Sequence, residues 1–133
     1  MSRYKNLELL APGGSMESLI AAARYGADAV YIGGPLLQLR AGQTAFSMED
    51  IQNAASHMHG LNKKLYVAAN AFTYPNEIAS IVDYAKKLRD AGVDAMIVSD
   101  MGSIRAIKRE CPTMEVHVST QAICTHPESA TAY

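Results

Sequence analysis

Two stretches of this chain read almost alike: YGADAVYIGG at residues 25–34 and AGVDAMIVSD at residues 91–100. Each runs Gly, one apolar residue, Asp, Ala, and then an apolar run ending in small or polar residues. Gly26 and Gly92 stand 66 positions apart. A helical stripe precedes each glycine. Met16, Leu19, Ile20 and Ala23 fall at i, i+3, i+4 and i+7 ahead of Gly26. Ile78, Ile81, Val82, Ala85 and Leu88 form the cleanest stripe in the chain ahead of Gly92. Glycine readily takes the left-handed conformation that ends a helix. The phrase therefore reads as a helix C-cap followed by a buried strand, 28–33 in the first copy and 94–99 in the second.

Outward from these copies the alternation continues. Residues 7–11, LELLA, are a short apolar run read as strand one. The turn Pro12-Gly13-Gly14 follows, with Ser15 as N-cap of the first helix. Ser47 opens the second helix, with Asp50 completing a capping box. Ile51, Ala54, Ala55 and Met58 form its stripe, and Gly60 is expected to stop it. Strand three is 64–70, and the third helix starts near Pro75, a residue suited to a first helical turn. Asp100 caps a short fourth helix carrying Ile104 and Ile107. Strand five is 115–120, and Thr125-His126-Pro127-Glu128 reads as another capped helix start.

The strands are near-continuous apolar runs, as parallel strands covered by helices should be. Five such units admit two architectures. One is a doubly wound, flavodoxin-like sheet, which this length suits. The other is the N-terminal half of a TIM-type (β/α)8 barrel, a fold of about 250 residues. The chain reaches Tyr133 soon after its last helix has been capped. The half-barrel is therefore the preferred reading, with residues 1–133 as one (β/α) segment of a larger protein. Such a segment leaves edges at strands one and five, and open edges invite pairing. Self-association, as a dimer completing a pseudo-barrel, is expected.

Composition excludes several classes. A net charge of −1 is not the footprint of a dedicated nucleic-acid-binding domain. No run of about 18 apolar residues marks a membrane span. The first residues lack the apolar core of a secretory signal. Two cysteines, Cys111 and Cys124, form neither a disulfide framework nor a CxxC motif, so a cytoplasmic setting is expected.

Ligands of parallel α/β folds gather at the C-terminal ends of the strands. Gly13, Gly14 and Ser15 there offer N–H groups to an anion, or simply build a tight turn. Asp100 either meets a substrate or serves as an N-cap. Asn70 and Gln121 end apolar strands, where an amide needs a partner. Arg40, in the long loop QLRAGQTAF, suits a carboxylate or phosphate, or is a solvated surface residue. His57 and His59 sit two apart on a helix and point to different faces. His117 lies inside strand five as a core or barrel-interior residue. No metal-ligand spacing is present. Cys111 falls on the stripe of helix four and reads as core.

Taken in order, ELLAPGGSMESLIAAARYGADAVYIGG, LRAGQTAFSMEDI, KKLYVAANAF, GVDAMIVSD and HVSTQA resemble the N-terminal part of the U32 peptidase family, the collagenase-like proteases. LRAGQTAF, with Arg40 two residues before Gly42, resembles the branch that contains bacterial tRNA uridine hydroxylases. Related branches act on ribosomal RNA or on ubiquinone precursors. The resemblance implies a TIM-type barrel followed by further domains. It implies either peptidase activity or prephenate-dependent hydroxylation of tRNA or rRNA. It also implies an iron–sulfur cluster held by cysteines downstream of this segment, which Cys111 and Cys124 do not match. Arg40, Asn70, Asp100 and Gln121 match polar positions of the family motifs and are carried over as substrate-site candidates without catalytic roles. The segment alone is expected to be inactive. A small-ligand-binding flavodoxin-like module is the remaining alternative.

Overall fold

The computed structural model describes residues 7–37 and 45–133. Strands β1 (Leu10–Pro12), β2 (Ala29–Gly33), β3 (Lys64–Ala69), β4 (Ala95–Val98) and β5 (Glu115–Val118) alternate with helices α1 (Met16–Arg24), α2 (Met48–Gly60), α3 (Ile78–Asp90), α4 (Met101–Glu110) and α5 (Pro127–Ala130). All neighbouring strands pair in parallel, in the order β1-β2-β3-β4-β5. A flavodoxin-like sheet reverses its strand order at a switch point. No reversal occurs here, so that alternative is excluded. The sheet is singly wound, the arrangement with which a (β/α)8 barrel begins.

One face of the sheet carries the core. Val30, Ile32, Leu65, Val67, Ala69, Met96 and Val98 alternate along their strands and pack with Leu19, Ile51, Met58, Ile81, Leu88, Ile104 and Ile107 from α1 to α4. All four helices thus cover the same face. The other face has only a small cluster, Ala29, Tyr66 and Ala95 with Ile97 against it. Strand parity alone explains this division, because successive side chains point to opposite faces.

The repeated phrase has a structural meaning beyond its cap. Gly26 and Gly92 take φ of 111° and 87°. Ala27 N–H donates to Ala22 O and Val93 N–H to Leu88 O, the closing bond of a Schellman turn in both copies. Two further parallels involve the aspartates. Asp28 N–H donates to Leu9 O and its carboxylate accepts Leu9 N–H. Asp94 treats Leu65 in the same way. Each copy therefore ends a helix and ties the next strand to the strand before it.

Four local expectations need correction. β1 starts at Leu10, not at residue 7, because pairing with β2 begins at Leu10↔Ala29 and Leu9 is bound by Asp28 instead. Pro12 belongs to β1, which an edge strand tolerates. Gly60 is the last residue of α2 rather than its stop. Asn62 takes the left-handed position, φ 56°, while Lys63 N–H closes the turn on Met58 O. His126, not Thr125, caps α5, its Nδ1 accepting Glu128 N–H. The Ser15, Ser47–Asp50 and Asp100 caps are as expected.

Candidate functional site

Parallel register lines up side chains on the open face in rows. Pro12, Tyr31, Tyr66, Ala95 and Glu115 form one row; Gly33, Ala68, Ile97 and His117 form the next toward the strand ends. Beyond them stand Asn70 and Ser119. A cleft of about 500 Å³ opens over the upper rows at the C-terminal ends of the strands.

Asn70, Gln121, Gly13 and Gly14 all line this cleft. Three segments distant in sequence are thus brought together. Asn70 is anchored through its carbonyl, which accepts the Ser99 hydroxyl at 2.9 Å. Its amide has no hydrogen-bond partner among the described residues. Gln121 sits on a single 3-10 turn (Thr120–Ala122) held by its N–H donating to Ser119 Oγ at 3.2 Å. Its side chain is exposed, so solvent already satisfies the amide and burial cost does not argue for a partner.

The turn after β1 is explained mostly by packing. A Cβ on Gly13 would stand 2.8 Å from Val30 Cγ1 and 3.1 Å from Ile32 Cγ2. Gly13 N–H already donates to Tyr31 O at 2.8 Å. Ser15 Oγ accepts Ser18 N–H at 3.1 Å and lies outside the cleft lining. Gly14 alone of the three faces open space. Asp100 is likewise an N-cap, accepting Ser103 N–H at 2.6 Å, and does not line the cleft. Arg40 lies outside the described residues.

A polar chain that sequence reasoning did not assemble runs beneath the cleft. Lys64 Nζ donates to Glu8 Oε2 at 2.9 Å and Tyr66 Oη to Glu8 Oε1 at 2.5 Å. The Tyr66 hydroxyl, and then the Lys64 ammonium, hold the Glu8 carboxyl below its usual range. Burial first, and then the Glu8 carboxylate, push the Tyr66 phenol up to about 12. Bonding to Glu8 raises Lys64. The Tyr66 and His117 rings meet edge to face, centroids 4.7 Å apart. His117 Nε2 lies 2.8 Å from Glu115 Oε1. The signal available in the sequence was the alternation Glu115, His117, Ser119, which puts three polar groups on one face of β5.

No helix among the described residues is long and apolar enough to cross a membrane. The cysteines do not fit an iron–sulfur cluster, which takes four thiolates. Cys111 is sealed in the core with Arg89 Nη1 3.5 Å from its sulfur, and Cys124 is exposed.

A singly wound parallel sheet with its polar cleft at the strand C-termini defines a barrel-type α/β protein segment. The chain belongs to peptidase family U32, whose model matches residues 14–133. It is 41% identical over 117 residues to tRNA hydroxylation protein P1 of Bacillus subtilis (strain 168), covering 88% of this chain and 28% of that protein. It is 36% identical over 115 residues to the 23S rRNA 5-hydroxycytidine C2501 synthase of Escherichia coli (strain K12), covering 86% of this chain and 17% of that one. The structure of the U32 peptidase Mk0906 superposes with a TM-score of 0.73 at 15% identity, over 99% of this chain and 56% of that one. That likeness extends the fold assignment. The chain spans less than a third of the length of these two curated relatives.

Proposed function

We propose that this chain is the front segment of an RNA hydroxylase acting on tRNA uridine, with the cleft as the seat of a small polar co-substrate, prephenate. The supporting observation is the 41% identity to a tRNA hydroxylation protein over 117 residues, 88% of this chain. Asn70 and Gln121 converge there from different strands, and amides orient a polar ligand without adding charge. RNA affinity rests on phosphate contacts. This segment carries a net charge of −1, which supplies no overall positive field for them. The RNA-binding surface is therefore assigned to the remainder of the parent protein, and so is any iron–sulfur cluster.

The family description favours a second reading, proteolysis. Glu115, His117 and Ser119 are the right chemical types for a nucleophile row. However, Ser119 is 5% exposed and its hydroxyl is engaged by Gln121 N–H. That geometry argues for hydroxylation over peptide cleavage. The test is a mass-spectrometric comparison of tRNA and rRNA nucleosides from cells with and without the full-length gene. Loss of a hydroxylated uridine or cytidine is expected. An unchanged profile rejects the reading and returns peptide cleavage to the front.

A further inference from the structure

Of the residues lining the cleft, Tyr31 and His117 carry titratable side chains. His117 is held from two sides. Glu115 stands 2.8 Å from Nε2, and the Tyr66 ring meets the imidazole edge to face at 79°. Tyr66 is itself fixed by Glu8, and Glu8 by Lys64. Ala95, a small residue, sits between Tyr66 and Glu115 in the row. A histidine needed only for packing requires neither a carboxylate partner nor an opening to the cleft, yet the His117 side chain is 34% exposed.

We infer that His117 is the proton-transfer residue of the cleft and that Glu115 is its positioning residue. This rests on the reading that the cleft binds the reacting small molecule. A carboxylate at Nε2 places the single proton of the neutral ring there and leaves the lone pair on Nδ1. No described residue bonds to Nδ1. A hydroxyl of the bound molecule gives its proton to Nδ1: the O–H bond breaks, the N–H bond forms, and the electron pair stays on oxygen. The ring becomes imidazolium, and Glu115 stabilises its charge as the carboxylate of a His–acid pair does. The ligand class is thus a small hydroxylated molecule whose other polar groups reach the Asn70 and Gln121 amides. His59 offers an internal control. It pairs with Asp94 at 3.0 Å but does not line the cleft.

The first measurement is acylation of the chain by diethyl pyrocarbonate, with the rate at each of the four histidines read by peptide mass mapping. Expected is modification of His117 that Glu115→Gln slows several-fold, with His57, His59 and His126 unchanged. A His117 that stays unmodified, or that ignores Glu115→Gln, overturns the inference. The second measurement is in cells carrying the full-length gene. His117→Gln should lower the hydroxylated nucleoside by about 100-fold, the low end of general acid–base effects, while His59→Gln leaves it unchanged. Full activity of His117→Gln overturns the proposal. If the wild-type gene yields no hydroxylated nucleoside, the proposed function fails, and the acylation rates still decide the role of His117.

Discussion

The Asp94 carboxylate accepts the Leu65 N–H at 2.8 Å while Asp94 N–H donates to the Leu65 carbonyl at 2.9 Å. One residue of β4's approach thus grips both backbone groups of one residue of β3. Asp28 grips Leu9 at the same two distances, 66 residues earlier. The repeated phrase is a two-point clamp at the N-terminal end of the sheet, opposite the cleft.

Removing either clamp should destabilise the fold without touching the cleft. Asp94→Ala leaves the Leu65 N–H without its acceptor at a fully buried residue, and the expected loss is about 1–3 kcal/mol. Asp28→Ala should lose less, because Leu9 is exposed and water replaces the carboxylate. Urea unfolding of both variants checks the order. Equal losses would contradict the account.

The two glycines after β1 should behave differently. Gly13→Ala drives a methyl against Val30 and Ile32 in the core, and overpacking of this kind is worth about 1–3 kcal/mol. Gly14→Ala meets nothing within 4 Å. Thermal melts of the pair decide whether the turn is built for packing, in which case only Gly13→Ala shifts the midpoint.

Stability should fall at high pH. Burial raises the phenols of Tyr66, to about 12 from 10.0, and of Tyr84. Both are therefore stabilised in their neutral form when folded. That contribution is complete below pH 10 and is lost as pH rises through the folded value. Tyr66→Phe with Tyr84→Phe should flatten the decline of unfolding free energy between pH 10 and about 12. An unchanged slope would show that neither phenol is responsible. At the acid end, the depressed Glu8 carboxyl contributes stability above its unfolded value of 4.5, lost as pH falls through its folded value.

Both edges of the sheet, β1 and β5, are unpaired among the described residues, and Leu10 and Val118 are exposed there. The 133-residue chain is expected to self-associate, as a dimer joining these edges. Sedimentation at roughly tens of micromolar, a working range for weak assembly, checks it. A single monomeric species would reject it.

Much of the fold was legible because its signals are local. The stripes of α1 to α4, the Ser15, Ser47 and Asp100 caps, and the glycines at 26 and 92 each depend on residues within a turn or two. Helix hydrogen bonds close over four residues, so short spacing carries the information. The misplacements fall where a distant partner intervenes. β1 starts late because Asp28, far along the chain, takes over Leu9. Local competition misled only at Asn62 and His126, where less common capping residues displaced Gly60 and Thr125.

The site divides in the same way. Asn70 and Gln121 could be named from the sequence because strand ends are predictable and ligands gather there. Asp100 and Ser15 could not be separated from them, since a capping side chain and a ligand-facing one look alike in sequence. His117 was visible only as a polar residue in a strand.

By itself, then, the sequence determined five parallel β/α units, the family likeness and which strand ends face the cleft, because alternation and capping are short-range. Tertiary structure decided what the repeated aspartates do, which candidates share one cleft, and that Glu8, Tyr66, His117 and Glu115 form a connected chain. The hydrogen bond from Tyr66 to Glu8 alone joins residues 58 positions apart. Parallel register, which no local pattern encodes, brings such residues within hydrogen-bonding distance.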